Sequence, residues 1–186
     1  MTPAPEPGRP TPPIPLAGDP ADATARLPGS IVLLDDDFLA QLADACADIR
    51  LDAAERADAS RDWWPLAMVW ATEGSVGEVA GAVARPTTVD EVAAVLRLCQ
   101  GASVPVTPAA GRSSVVGGTV PVHGGVLLDL TGLSGVVDVD ATSGVVEVLA
   151  GTFGDALEEE LRTSHALTVG HWPQSMALST VGGWLA

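Results

Sequence analysis

The chain has 186 residues, 47% apolar and 18% charged, with a formal net charge of −15 and a pI near 4.2. That length suits one domain and a tail, and that charge speaks against nucleic acid or an anionic membrane surface, whose phosphates need cationic partners. The 9 cationic side chains are all arginine and tyrosine is absent, which excludes a lysine Schiff base, a Gly-Lys-Ser/Thr phosphate loop and tyrosine acid–base chemistry within these residues.

Residues 1–29 are rich in Pro, Gly, Ala and Asp and are expected to form a disordered tail, because they cannot bury enough apolar surface to offset ordering entropy. No run is apolar for the length of a membrane span, and no basic segment precedes an apolar one at the N-terminus; the default expectation is a cytoplasmic location. A helical arm is expected over 30–75. Asp35 to Asp37 precede Phe38, Leu39, Leu42, Cys46 and Ile49 at helical spacing, and acidic residues suit a helix N-terminus. Asp52 is placed to cap a second helix reaching Arg61, and Asp62-Trp63-Trp64-Pro65 reads as a packing anchor that pins the arm.

From Val79 the pattern alternates. Val79–Ala84 reads as a strand, Thr88 and Glu91 as a capping box opening a helix through Val92, Val95, Leu96 and Cys99 that ends at Gly101, and Val104–Thr107 as the next strand. Gly125–Leu130 is apolar almost throughout, as a strand covered on both faces should be. Strand, helix and strand at this spacing predict a βαβ unit with parallel pairing. Gly135–Val139 and Val145–Leu149 flank a glycine-containing turn and read as a hairpin. Thr152 is expected to cap a helix presenting Leu157 and Leu161 inward and Glu158 to Glu160 to water. Leu167–Val169 is expected to be a short strand, and Ser179 or Thr180 the cap of a final helix. Cys46 and Cys99 fall among Ala and Leu and are expected in the core. His123, His165 and His171 lack ligand spacing, so no metal site is expected.

Two segments carry the chemistry. Thr107-Pro-Ala-Ala-Gly-Arg-Ser-Ser-Val-Val-Gly-Gly-Thr119 is a loop of small residues with one cation. Such loops bring successive backbone N–H groups close to an anion. Ser175 to Gly183 is a second small-residue stretch. The two read as halves of one dinucleotide site, although a Gly-x-Gly-x-x-Gly at a strand-to-helix turn is missing.

In that order, these segments resemble the FAD-binding domain of the vanillyl-alcohol-oxidase superfamily, also called the PCMH-type or FAD-linked oxidase domain, and within it bacterial alkyldihydroxyacetonephosphate synthase-like flavoproteins. The string Pro173-Gln-Ser…Ser179-Thr-Val-Gly-Gly-Trp184 and the Asp62-Trp63-Trp64-Pro65 element carry the likeness, which runs from about Phe38 to Ala186. The resemblance implies an α+β fold: a small parallel βαβ subdomain, then the start of a mixed or antiparallel-sheet subdomain, with residues 76–186 as an incomplete FAD-binding domain of an N-terminal fragment.

It also implies that Pro108, Ala109, Ala110, Gly111, Arg112, Ser113 and Ser114 wrap the FAD diphosphate. Gln174, Ser175, Met176, Ala177, Leu178, Ser179 and Thr180 would meet the flavin and its linker, with the Ser179 and Thr180 hydroxyls donating to it. The family usually has glycines where this chain has Ala110 and Arg112, and Ser113 takes a Thr position. Arg112 is left between phosphate pairing and solvent. No His or Cys lies between Pro108 and Gly118, so nothing here supports covalent attachment at that loop. The implied activity is a flavin-dependent oxidoreductase acting on an alcohol or 2-hydroxy acid. The alternatives are a non-redox synthase of ether lipids, exchanging an acyl for an alkyl chain, and an inactive remnant. A small-molecule substrate bound through a further C-terminal domain, and a homodimer of the full-length protein, belong to the same expectation.

Overall fold

The computed structural model describes residues 14–27 and 29–186. Its centre is a sheet of order β2-β4-β6-β5, formed by Ile49–Arg50 (β2), Ala82–Ala84 (β4), Val126–Asp129 (β6) and Val106–Ala109 (β5). β4, β6 and β5 run parallel, while β2 is antiparallel to β4. The βαβ unit therefore exists with one difference from the expected pairing. The helix Val89–Ala102 (α4) carries the chain from β4 past one strand position, and β6 later fills that gap. Short β6, apolar and buried from Val126 to Leu128, is the natural central strand, because both its edges and both its faces are covered.

One face of the sheet is closed by α4 and by Asp36–Ala45 (α1). Phe38, Leu42 and Cys46 meet Val95 and Cys99 over Ala82, Ala84, Val126 and Leu128, forming the main core. Burial pushes both cysteine thiols up from their ordinary values, as apolar packing does. Local chemistry sets the helix ends. Asp35 accepts from Phe38 N–H, and Thr88 and Glu91 form the expected capping box. Glu91 also accepts the N–H of Ala47, just beyond α1, so one carboxylate ties the two helices of this face together. α4 continues through Gly101 to Ala102, and Ser103 ends it at φ 55.

The arm shares this core. α1 stops at Ala45, and Ile49 turns from the expected helix into β2, because Cys46 takes an extended backbone at φ −147. Asp52 caps Ala53–Ala59 (α2), which ends short of Arg61, and lies on the opposite face of the sheet. Pro65 opens a further helix, Pro65–Ala71 (α3), that the sequence reading missed. Proline disfavours helix only for the residues before it and is well suited to a first helical position.

The disordered tail expected through residue 29 is not what residues 14–27 form; residues 1–13 lie outside the described residues. Leu16 is buried with Ala57, Ala71 and Val76, and Thr24–Ala25 (β1) pairs in parallel with Ser75–Val76 (β3). The buried guanidinium of Arg61 donates to the Ile14 carbonyl and to Asp58. A few anchoring contacts order a stretch that composition alone makes look unstructured.

Beyond β6, Val136–Asp140 (β7) and Val145–Val148 (β8) form the expected antiparallel hairpin. Gly154–His165 (α5) follows. Thr152 does not cap it; its hydroxyl donates to Leu149 O and accepts from Gly135 N–H, tying the hairpin to the helix instead. Glu158 is buried rather than solvated, whereas Glu159 and Glu160 are exposed. It pairs with Arg162 and accepts from the Thr168 hydroxyl and the Val169 N–H. That carboxylate takes the hydrogen bonds a strand at Leu167–Val169 would need elsewhere, and the segment is irregular. No helix among the described residues is long and apolar enough to cross a membrane.

Candidate functional site

The loop after β5 leaves the sheet at its C-terminal edge, where open parallel sheets place their ligand crevices. Pro108 and Ala109 are still in the strand. Beyond Ala110, the backbone N–H groups of Gly111, Arg112, Ser113, Ser114 and Val115 donate to no group among the described residues. Gly111 is buried, Arg112 to Ser114 are half-buried and Val115 is exposed; N–H groups removed from water are normally paired in proteins, so the first four are candidate donors to an anion. Ser114 Oγ accepts from the N–H groups of Val116 and Gly118, at 3.3 and 3.4 Å, and holds the loop's far side. Gly117 stands at φ +77, and a Cβ there would lie 3.0 Å from the Trp64 ring. The Trp64 indole, packed edge-on at 5.3 Å against Trp70, thus anchors the arm directly against the loop.

The second segment is stitched from within. Ser179 N–H and Oγ both donate to Ser175 O, at 2.8 Å each, and Ser179 Oγ accepts from Trp184 Nε1 at 2.7 Å. The Ser179 hydroxyl is therefore spent inside the protein, contrary to the expectation that it donates outward. Thr180 is buried and starts the five-residue helix Val181–Leu185 (α6) without a side-chain cap. Its backbone faces the edge of α5: Gly154 N–H donates to Ser179 O and Val181 N–H to Thr152 O. The N–H groups of Gln174, Ser175, Ala177 and Thr180 donate to nothing among the described residues. α6 is too short for its dipole to weigh much, since the macrodipole grows from aligned peptide units.

The two segments meet. A Cβ added to Gly111 would lie 2.0 Å from Leu178 O and 3.1 Å from Ser179 Cα. Backbone touches backbone there, and no other residue fits. The loops that the sequence separates by some sixty positions are neighbours in space, with unpaired N–H groups on both.

Arg112 resolves differently from either expectation. Its backbone stands in the left-handed region at φ 55, which costs a residue with a Cβ roughly 1–2 kcal/mol. Its guanidinium is mostly buried and pairs with Asp58 of α2: Nη1 donates to the Asp58 carbonyl and lies 3.4 Å from Oδ2. Arg112 and Ala109 also line a cleft of about 960 Å³ between α2 and the sheet, with Arg50, Arg85 and Asp129 around it. These arginines are already paired, Arg50 with Asp48 and Glu55, and Arg85 with Asp48 and Asp129. With a chain charge of −15, attraction for an anion at the loop falls to backbone dipoles rather than to the surrounding field.

Residues 80–186 match the family model described as FAD binding domain. The chain is 28% identical over 177 residues to an alkyldihydroxyacetonephosphate synthase of Trypanosoma brucei brucei, covering 89% of this chain and 28% of that protein. It is 36% identical over 74 residues to a D-lactate dehydrogenase of Anaerostipes hadrus, covering 40% of this chain and 16% of that protein. A solved alkyldihydroxyacetonephosphate synthase superposes with a TM-score of 0.80 at 23% identity, over 92% of this chain and 34% of that one. The chain thus spans about a third or less of the proteins it matches. It belongs to the FAD binding domain family, and its cofactor is FAD.

Proposed function

We propose that this chain holds the FAD of a flavin-dependent oxidoreductase acting on an alcohol or a 2-hydroxy acid. Pro108 through Ser114 would follow the diphosphate, and Gln174 through Thr180 the flavin and its linker. The observation that supports this reading is the contact of Gly111 with Leu178 and Ser179, which sets two groups of unpaired N–H donors side by side. Donors fixed by the fold bind an anion without further ordering, so their orientation is already in place before the ligand arrives. When bound, FAD would supply a hydride acceptor, which no amino-acid side chain provides. The protein's part is to fix the diphosphate through N–H groups, to keep small residues where the ring system must approach, and to position the whole through the Gly111–Leu178 contact. A non-covalent complex is the reading consistent with a loop that contains neither His nor Cys.

A second reading has its own support. The match to the synthase of Trypanosoma brucei brucei runs over 177 residues and takes in the arm, whereas the match to the D-lactate dehydrogenase covers 74. That favours a flavin-dependent transferase of ether-lipid synthesis.

Titration of the chain with FAD, followed by quenching of flavin fluorescence, tests the cofactor reading: saturable binding is expected, and its absence removes both activities from consideration. In the protein that carries this segment, anaerobic bleaching of the flavin by D-lactate or glycolate selects the oxidoreductase. Exchange of a fatty acyl for a fatty alkyl group without bleaching selects the transferase.

A further inference from the structure

The only cation of the cofactor loop reaches into the arm, and its partner is a helix end. The last carbonyls of a helix have no acceptor role inside it, and Asp58 O receives no backbone N–H from the residues after α2. Arg112 Nη1 takes that carbonyl, with the Asp58 carboxylate beside it, and the same carboxylate holds Arg61. A guanidinium at a helix C-terminus is favoured by the free carbonyls it can bond.

From this geometry we infer that Arg112 is a positioning residue: it caps α2 across fifty-four positions of sequence, and that cap holds the loop in its left-handed turn so that the N–H groups of Gly111 to Val115 are presented together. Its charge is not the diphosphate's counter-ion. α2 lies outside residues 80–186, the part that matches the family, so the arm is a working buttress of the cofactor loop. The inference rests on the assignment of this loop to the FAD diphosphate.

Glycine adopts the left-handed region freely, whereas alanine keeps the backbone penalty and loses the tether. This separates positioning from charge. The test compares the full chain with Arg112→Ala and Arg112→Gly, using amide exchange without cofactor and FAD affinity by fluorescence. Both variants are expected to speed exchange in the last turn of α2 about tenfold, the loss of one charge-assisted hydrogen bond. Arg112→Ala is expected to weaken FAD about tenfold, and Arg112→Gly by no more than about threefold.

Equal weakening by both variants, with α2 exchange unchanged, would overturn the inference and make Arg112 a direct phosphate ligand. Faster α2 exchange in a chain that binds no FAD even as wild type would leave the tether standing and remove the loop's assignment to the diphosphate.

Discussion

The two halves of the site are held in opposite ways. Ser175 to Thr180 is self-supporting: Ser179 alone makes three of its hydrogen bonds, with Ser175 and Trp184. The loop from Gly111 to Val115 has almost no bonds of its own and is held from outside, by Arg112 on α2, by Trp64 against Gly117 and by Leu178 against Gly111. A segment that must offer its N–H groups to a ligand cannot spend them internally, so its order has to come from side chains and neighbours. The second segment keeps its shape through Ser179 and still leaves the N–H groups of Ser175, Ala177 and Thr180 unpaired among the described residues.

The sharpest way to break this arrangement is at the contact between the halves. Gly111→Ala places a Cβ 2.0 Å from Leu178 O, backbone against backbone, and is expected to cost about 3 kcal/mol or more of stability. Thermal unfolding should show a clear fall in midpoint and FAD titration a loss of binding. A variant as stable and as tight as wild type would mean that the halves do not touch. Next in size is Ser179→Ala, which removes the hydroxyl between Ser175 and Trp184 and is expected to cost about 1–2 kcal/mol. Because the Ser179 hydroxyl is internal, FAD affinity should change less than stability; a larger drop in affinity would put that hydroxyl on the flavin. Gly117→Val, at φ +77 and against Trp64, is expected to cost about 1–2 kcal/mol, with near-ultraviolet circular dichroism reporting the displaced indole.

The smallest effect lies away from the site, on the closed face, and serves as its control. The Thr87 N–H, the Ala47 N–H and the Thr87 hydroxyl hold Glu91 down to about 2 from an ordinary 4.5. A carboxylate held low stabilises the fold at pH values above its unfolded pKa, and this support is lost as pH falls through its folded pKa. The melting temperature should therefore decline between about pH 4.5 and pH 2, and Glu91→Gln should flatten that decline. An unchanged pH profile would show that the clasp between α1 and α4 contributes nothing.

Much of this was legible from residues alone, and the failures share one cause. The capping box at Thr88, the acidic start of α1 and the hairpin around Asp140 are short-range chemistry, complete within a few positions, and they formed where expected. Ile49 entered a strand, Thr152 bonded a hairpin, and Glu158 became a buried acceptor because partners distant in sequence competed for them. Residues 14–27 were ordered by the burial of Leu16 and the anchoring of Ile14, contacts that no compositional measure contains.

Family and cofactor were determined by the sequence itself, through two strings of small residues whose types suit close approach to a dinucleotide. Tertiary structure alone decided that those strings touch at Gly111 and Leu178, that Ser179 spends its hydroxyl inward, and that Arg112 turns its charge to α2. The reason is physical: a residue's identity fixes which bonds it can make, while only the folded chain fixes which partner arrives first.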